Sequence, residues 1–235
     1  MVHYSLEPGL IRVMSLPPKP NHVKPRRRYR SELRRAQAAA TRRAIVDAAL
    51  AAFLEHGYAG ATMQKIADSA GVVVETIYRA FDGKAGLFKA AVEAAVAGGT
   101  ARAERPVEER PAIRAVIQEP DPGRKLERYA DTQPGIHARL GPLYRTLAEA
   151  AAVQPELAGI WEELEAQRLH GLTRFAQHLA ETGALRPEVT VEEACDILWT
   201  INSHAVYRML VTERGWSPQR YRNWLAQTLA RALIP

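Results

Sequence analysis

The chain has 235 residues, of which 47% are hydrophobic and 25% charged. This is the composition of an ordinary globular protein with enough chain to bury a core. No apolar run approaches the roughly 18 residues that a membrane span needs, and the first residues lack the pattern of an export signal. The only cysteine, Cys195, excludes an internal disulfide and fits a reducing compartment. We therefore expect a cytoplasmic protein with no membrane partner.

The net charge of +6 is unevenly distributed. Residues 1–60 contain 11 Lys or Arg and 4 Asp or Glu, so the whole positive excess lies in the first quarter of the chain. Such an uneven charge distribution favours a polyanion as the partner of the N-terminal quarter and a different role for the rest of the chain. A solvated basic tail that only improves solubility is the alternative.

Residues 1–36 are predicted to be a basic, proline-containing and disordered extension. The segment "SLPPKPNHVKPRRRYR" has four prolines and a cluster of arginines, a composition that cannot bury much apolar surface. Beside a DNA-binding unit such an arm could follow phosphates, and a plain disordered leader fits the composition equally well.

From about Glu32 the pattern is helical throughout. The segment "TRRAIVDAALAAFLEHGY" carries an apolar stripe at helical spacing, formed by Ile45, Ala48, Ala49, Ala52 and Phe53. Gly57 is predicted to end this helix. Thr62 is predicted to cap a short second helix that ends at Gly71, and further helices are predicted over 74–81 and 84–103.

The rest of the chain shows amphipathic segments and no sustained period-two alternation. Helices are predicted at 111–118, 122–132, 137–151, 155–182, 190–214 and 217–233. Gly183 and Gly215 mark two ends, and Ser217 followed by Pro218 marks a helix start. The fold class is therefore all-α, with a helix-turn-helix domain at 37–90 and a second helical domain at 91–235.

Residues 62–81 are predicted to form a helix-turn-helix. Two short helices flank Gly71, which permits the backbone angle of the tight turn. Six side chains are spaced to pack the pair together and against the first helix: Ile66, Ala67, Ala70, Val72, Ile77 and Ala80. In this motif the second helix enters the major groove of DNA.

The segment "TMQKIADSAGVVVETIYRAFDGKAGLFKAAV", preceded by "RRAIVDAALAAFLEHGY", resembles the N-terminal domain of TetR-type transcriptional regulators. The resemblance covers Thr41 to about Val96. The downstream segment "DILWTINSHAVYRMLVTERGWSPQRYRNWLAQTLARAL" is similar to the C-terminal helices of many such bacterial regulators, and that likeness is much less diagnostic.

The resemblance implies a set of contacts with double-stranded operator DNA. Thr62 and Gln64 would meet the DNA at the start of the second helix, and Val74 and Glu75 would read base edges. The full set of implied DNA contacts is Arg42, Arg43, Thr62, Gln64, Val73, Val74, Glu75, Thr76, Tyr78, Arg79 and Lys84. Two positions depart from the family. Val73 cannot cap its helix, at a cost of about 0.5–2 kcal/mol, and Ala80 replaces a common His or Tyr.

The resemblance also implies that residues 91–235 form a regulatory and dimerisation domain. The protein would then be a homodimer that reads a palindrome, because one short recognition helix reads few bases. The last two predicted segments would form the interface. Its candidate residues are Leu198, Ile201, Val206, Leu210, Trp224, Leu225 and Leu229. An intramolecular core would use some of these side chains in any case.

A pocket for an unidentified small-molecule effector is expected among the middle helices. Amphipathic side chains suited to an apolar cavity with polar groups are Trp161, His178, Trp199, Asn202, His204 and Tyr207. Effector binding would favour a conformation with wrongly spaced recognition helices, and a repressor would then release its operator.

Two other classes of function compete with a regulator. For an enzyme we find no Gly-rich phosphate loop, nucleophile elbow or H-E-x-x-H motif, and His137, His170, His178 and His204 lack metal-ligand spacing. We predict no enzyme activity, no cofactor and no metal. A nonspecific DNA-compacting protein would not need the large C-terminal part, whose net charge is close to zero.

Overall fold

The computed structural model describes residues 25–151 and 154–235, and every regular element within these ranges is helical. Residues 39–235 form one compact unit. The segment before it is a separate unit, of which residues 25–38 are described and helical. Helix α1 thus begins at Pro25, earlier than the start predicted near Glu32. The rest of the predicted disordered extension, residues 1–24, lies outside the described ranges.

Four helices make up the N-terminal part: α1 (Pro25–Gly60), α2 (Met63–Ala70), α3 (Val74–Phe81) and α4 (Lys84–Ala97). The backbone leaves the helical region at Gly57, where φ is 68°, as its predicted role as a helix stop requires. The predicted continuous helix over 84–103 is wrong. Gly98 and Gly99 have φ of 79° and 131° and separate α4 from α5 (Thr100–Ala103).

The turn between α2 and α3 depends on two local features. The Thr62 hydroxyl accepts a hydrogen bond from the Lys65 amide at 3.3 Å and so caps α2. Gly71 is left-handed, with φ of 66°, and the amides of Gly71 and Val72 donate to the last carbonyls of α2. Val73 provides no side-chain cap for α3, as expected from the sequence.

The helix-turn-helix packs on an apolar core that α1, α2, α3 and α4 share. The rings of Phe53 and Phe88 meet edge-on with centroids 4.9 Å apart, and Ile45, Ile66 and Ile77 are fully buried around them. The same core continues into two later helices, Pro122–Ala151 and Pro155–Glu181, through Leu140, Leu143, Leu147, Leu157 and Leu164. Ala80, predicted to pack inside, is exposed on the surface of α3.

The C-terminal part contains α6 (Pro111–Gln118), α7 (Pro122–Ala151), α8 (Pro155–Glu181), α9 (Val191–Ile201), α10 (His204–Tyr207) and α11 (Pro218–Leu233). A short 3₁₀ turn, Val107–Glu109, precedes α6. None of these helices, nor any other in the described ranges, is long and apolar enough to cross a bilayer.

Three of the predicted C-terminal segments differ from the structure. The separate helices at 122–132 and 137–151 are one helix, α7, which keeps Pro134 and Pro142 inside it. A proline removes an intrahelical donor and usually ends a helix, but α7 is supported by packing against α4, α6, α8 and α11. The single helix predicted at 190–214 is instead broken at Asn202 and continues as α10 and a π-helical turn, Arg208–Glu213.

The predicted dimer surface needs a correction. Leu198, Leu225 and Leu229 are fully buried within the single chain, where they belong to the second apolar core, formed by α6 to α11. Their side chains are not on the surface of the single chain, because α9 packs on α8 and α11, and α11 packs on α7. Ile201, Val206, Leu210 and Trp224 are half-buried at the edge of that core.

The left-handed turn provides a test of the helix-turn-helix geometry. Gly71→Ala should lower the free energy of unfolding by about 1–2 kcal/mol, because a Cβ is strained at its φ of 66° even with no atom within 4 Å. Gly159→Ala, in α8, likewise has open space and no such φ, and it should raise that free energy. Urea denaturation of both variants measures the difference, and equal effects would contradict the assigned turn.

Candidate nucleic-acid interface and effector site

The outward face of α3 presents both apolar and polar side chains to the surface. Val73 at its N-cap is 65% exposed and Tyr78 is 54% exposed, with Glu75 and Arg79 also exposed between and beside them. Ile77 and Phe81 on the opposite face are buried. Core packing therefore fixes the helix and leaves four chemically different side chains on the surface.

The two valines that open α3 have different surroundings. Val74 is half-buried and packs against the core of the helix-turn-helix, so most of the side chain predicted to read a base is used in packing. Thr76 is half-buried as well. Of the pair, Val73 is the valine that is available to a partner, which the family pattern alone did not distinguish.

At the start of α2, Thr62 and Gln64 are both exposed. The Thr62 hydroxyl caps the helix and the Gln64 amide donates to the Asp68 carboxylate at 2.9 Å. The N-terminal amides of α2 lie beside these side chains, and helix N-termini attract anions.

The three predicted phosphate-binding cations make contacts within the protein. The Arg42 guanidinium donates to the Ala80 carbonyl at 2.9 Å and lies 4.1 Å from the centre of the Phe81 ring, where it supports the C-terminus of α3. Arg43 pairs with Glu104 at 3.2 Å. The Lys84 ammonium donates to the Ala59 carbonyl at 3.4 Å and stands over the Tyr58 ring, and burial lowers its pKa. These contacts hold the helices that frame α3.

The centre of the C-terminal part is a buried hydrogen-bonded cluster around Asn202. Its amide nitrogen donates to the Tyr129 hydroxyl at 2.6 Å and to the Gln133 side-chain oxygen at 2.9 Å. Its amide oxygen lies 2.9 Å from His137 Nε2 and 3.5 Å from the Tyr221 hydroxyl. Asn202 lies at the break between α9 and α10, so the cluster ties that break to α7 and α11.

The break at Asn202 is also held from α8. The Arg168 guanidinium donates to the carbonyls of Trp199 and Asn202 at 2.6 and 3.2 Å and stacks 3.9 Å from the Trp199 ring. Arg168 pairs with Glu165 at 3.3 Å. Because Arg168 satisfies the free carbonyls that end α9, the helix can stop inside the protein.

Aromatic rings surround His137. Tyr207 stacks on His137 with centroids 5.0 Å apart, and His204 lies at 5.9 Å. Tyr144 lies 5.7 Å from His204 and 5.3 Å from Trp161. Burial lowers the pKa of His137 to about 4, and burial also lowers the pKa of His204. Both imidazoles are therefore neutral near pH 7.

The structure brings together three of the six predicted pocket residues, Asn202, His204 and Tyr207, with Trp161 joined to them through Tyr144. Trp199 belongs instead to the Arg168 stack. His178 lies elsewhere, 2.8 Å from the buried Lys125 ammonium. Sequence reasoning missed Tyr129 and Gln133, although their spacing with His137, at i, i+4 and i+8, places all three on one face of α7.

A metal is not indicated at this cluster or elsewhere in residues 25–151 and 154–235. Groups of three or more His, Cys, Asp or Glu side chains that could hold a metal ion do not occur there. Cys195 is buried, and its sulfur lies 3.4 Å from the Thr173 hydroxyl.

The geometry defines an all-α helix-turn-helix protein, and comparison with known proteins identifies the type. Residues 45–91 match the family model of the bacterial regulatory proteins, tetR family. The N-terminal domain is thus a tetR-family domain, as the sequence resemblance predicted. No curated protein matches the chain.

Solved structures share the fold over most of the chain. A putative TetR-family regulator from Mesorhizobium loti has a TM-score of 0.63 and 20% identity, over 83% of this chain and 95% of its own. FadR from Bacillus subtilis, in complex with stearoyl-CoA, has a TM-score of 0.60 and 20% identity, over 79% of this chain and 96% of its own. A putative transcriptional regulator from Saccharomonospora viridis, in complex with choline, has a TM-score of 0.60 and 17% identity, over 83% of this chain and 97% of its own. These likenesses show that the all-α architecture of TetR-family regulators extends through the C-terminal part.

Burial of His137 should make stability depend on pH. Its folded pKa of about 4 lies below the ordinary 6.5, so the unfolded chain binds the proton first as pH falls. The free energy of unfolding should therefore fall between pH 6.5 and 4, by up to about 3 kcal/mol from this group. His137→Gln should flatten the dependence in urea denaturation at stepped pH. His170→Gln, at an exposed position of α8, should leave it unchanged, and parallel curves for all three proteins would contradict the assignment.

Proposed function

We propose that this protein is a sequence-specific DNA-binding transcriptional regulator, acting as a repressor. It binds a palindromic operator as a homodimer and is released by a small-molecule effector. The observation that carries the proposal is the exposed face of α3, with Val73, Glu75, Tyr78 and Arg79 outward on a tetR-family helix-turn-helix.

The chemistry of this face suits the major groove, which is wide enough for a helix and distinguishes all four base pairs. Val73 can pack on a thymine methyl group, and Glu75 can accept from a cytosine amino group. Arg79 can donate to a guanine or a phosphate, and the Tyr78 hydroxyl suits a phosphate. An uncharged, exposed valine at the start of the helix favours base contact over simple attraction to the DNA backbone.

Thr62 and Gln64 would anchor the second side of the motif on the phosphates, through the N-terminus of α2. Arg42, Arg43 and Lys84 support the same interface from behind. Their contacts with Ala80, Glu104 and Ala59 position the helices, and their remaining donor hydrogens are available for phosphate oxygens.

A homodimer follows from the small size of α3, since two copies about 34–36 Å apart read two half-sites across one turn of DNA. The surface we propose for dimerisation is the apolar edge formed by Val206, Met209, Leu210 and Trp224. Met209 is 44% exposed, and the other three are half-buried. We propose this edge as the interface in place of Leu198, Leu225 and Leu229, which the sequence predicted and which are buried within the chain.

An effector would act through α7, which contacts both the Asn202 cluster and the N-terminal part. On its other side, the Arg139 guanidinium donates to the Ala95 carbonyl of α4 at 2.7 Å. The ion pair between Lys89 and Glu163 ties α4 to α8. A ligand that favours one arrangement of α7 would shift α4, and with it the spacing of the recognition helices. The stearoyl-CoA and choline complexes of similarly folded proteins support such a role.

Selection of bound sequences from random duplex, at stated salt, tests the proposal. We expect a palindromic consensus with half-site centres one helical turn apart. Binding to all duplexes alike, with a steep salt dependence, would instead indicate a nonspecific DNA-binding protein.

Arg79→Ala should weaken binding to the selected duplex by about 1–3 kcal/mol. If Arg79 reads a base, the substitution should also relax the sequence preference at one position of each half-site. If Arg79 binds a phosphate, the substitution should weaken binding to all duplexes equally. Arg174→Ala, an equal charge change at an exposed position of α8, is the matched control. Titration of both variants by fluorescence anisotropy makes the comparison, and indistinguishable affinities would remove Arg79 from the interface.

Trp224→Glu should convert the dimer to a monomer, because a carboxylate on an apolar interface is costly to desolvate. Light scattering measures the mass and circular dichroism checks the fold. Gln177→Glu adds the same charge at an exposed position of α8 and should leave a dimer. A wild-type chain that is monomeric at micromolar concentration would refute the proposed assembly.

A further inference from the structure

Two neighbouring imidazoles in the Asn202 cluster have a nitrogen that contacts no hydrogen-bonding group of the described residues. These atoms are Nδ1 of His137 and Nδ1 of His204, and both are buried. His137 is only 5% exposed, and the two rings lie 5.9 Å apart. A buried polar atom without a partner is costly, so a pair on adjacent rings points to a group that these atoms bind.

The chain of donors around Asn202 decides which kind of group His137 needs. The carbonyl of Tyr129 can only accept, and it accepts from the Thr132 hydroxyl at 2.7 Å. Thr132 in turn accepts from the Gln133 amide nitrogen at 2.7 Å. The Gln133 side-chain oxygen therefore faces Asn202 and accepts from its amide nitrogen.

This order leaves the Asn202 amide oxygen to accept from His137 Nε2, at 2.9 Å. His137 thus carries its proton on Nε2, and because the ring is neutral its Nδ1 is an acceptor. An acceptor in this position requires a donor. A carboxylate or an alkyl group cannot provide one, whereas a hydroxyl can donate to His137 and still accept from a neighbour.

The groups that stack beside these two imidazoles are aromatic rings. Tyr207 covers one face of His137, and Tyr144 lies 5.7 Å from His204. Gly141, one turn after His137 on α7, leaves room for the His204 ring: a Cβ there would lie 3.0 Å from His204 Cε1. Such a lining favours the ring or chain of an uncharged ligand.

We propose that this site binds a neutral, hydroxyl-bearing ligand whose hydroxyl donates to His137 Nδ1 beside His204. That the ligand is the effector rests on the proposed function, whereas the binding site itself does not. The ligand enters a cluster that joins α7 to the break between α9 and α10, so its binding alters the contacts that hold the break.

The full-length protein can be tested with three probes of similar size: phenol, toluene and benzoate. Phenol should bind about tenfold more tightly than toluene, the effect of one buried hydrogen bond, and benzoate should bind most weakly. Affinities come from calorimetry, and nitrogen NMR of the labelled histidines should show the His137 Nδ1 signal moving with phenol. Equal affinities for phenol and toluene, preference for benzoate, or an unmoved His137 signal, as when water alone occupies the site, would overturn the proposal.

Variants separate this site from other binding. His137→Phe keeps a ring against Tyr207 and removes the acceptor, so phenol and toluene should bind equally, whereas His170→Phe should retain the tenfold difference. If His137→Phe does not fold, Gly141→Ala provides the second test, because alanine favours the helix while displacing the His204 ring. It should reduce phenol binding about tenfold, and full phenol binding by Gly141→Ala would count against the site.

Duplex binding separates the two proposals. A protein that distinguishes phenol from toluene but binds no selected duplex would retain the site and lose the proposed function. A protein that binds its selected duplex but does not distinguish the probes would keep the function and lose this site.

Discussion

The apolar core that α1 to α4 share with α7 and α8 is the constraint on which the remaining structure depends. Phe53 and Phe88 hold the helix-turn-helix together, and Leu143 and Leu157 extend the same core into the C-terminal part. Since interiors are densely packed and transmit strain, α3 is positioned by a core that also includes side chains of α7 and α8. The exposed face of α3 is then what remains after the inner face has been used for packing.

The second constraint is polar. Asn202 interrupts a helix in the middle of an apolar region, and its side chain compensates for the break by making four hydrogen bonds to α7 and α11. Arg168 satisfies the carbonyls at the end of α9. Fully paired buried networks specify one arrangement of the helices, and partly paired ones mark places where a ligand or water belongs. Both conditions occur in this cluster: Asn202 is hydrogen-bonded through its nitrogen and its oxygen, and Nδ1 of His137 and Nδ1 of His204 have no partner among the described residues.

The contacts of the basic residues show how motif and structure complement each other. The family pattern indicates Arg42, Arg43 and Lys84 as phosphate ligands, and each one contacts a carbonyl or a carboxylate of the protein. The two roles are compatible because a guanidinium or ammonium group has several donor hydrogens. Val74 is different: an aliphatic side chain packed on the core has little exposed surface, whereas Val73 is exposed.

The sequence by itself determined the helical class, the turn at Gly71, the cap at Thr62 and the tetR-type domain. These features depend on residues a few positions apart, whose effects on backbone angles and local hydrogen bonds are short-range. Only the tertiary structure decided that α7 continues through Pro134, that Leu198 is internal, and that His137 meets Asn202. That last contact joins residues 65 positions apart, and helical periodicity shows which face is apolar but not which helix covers it.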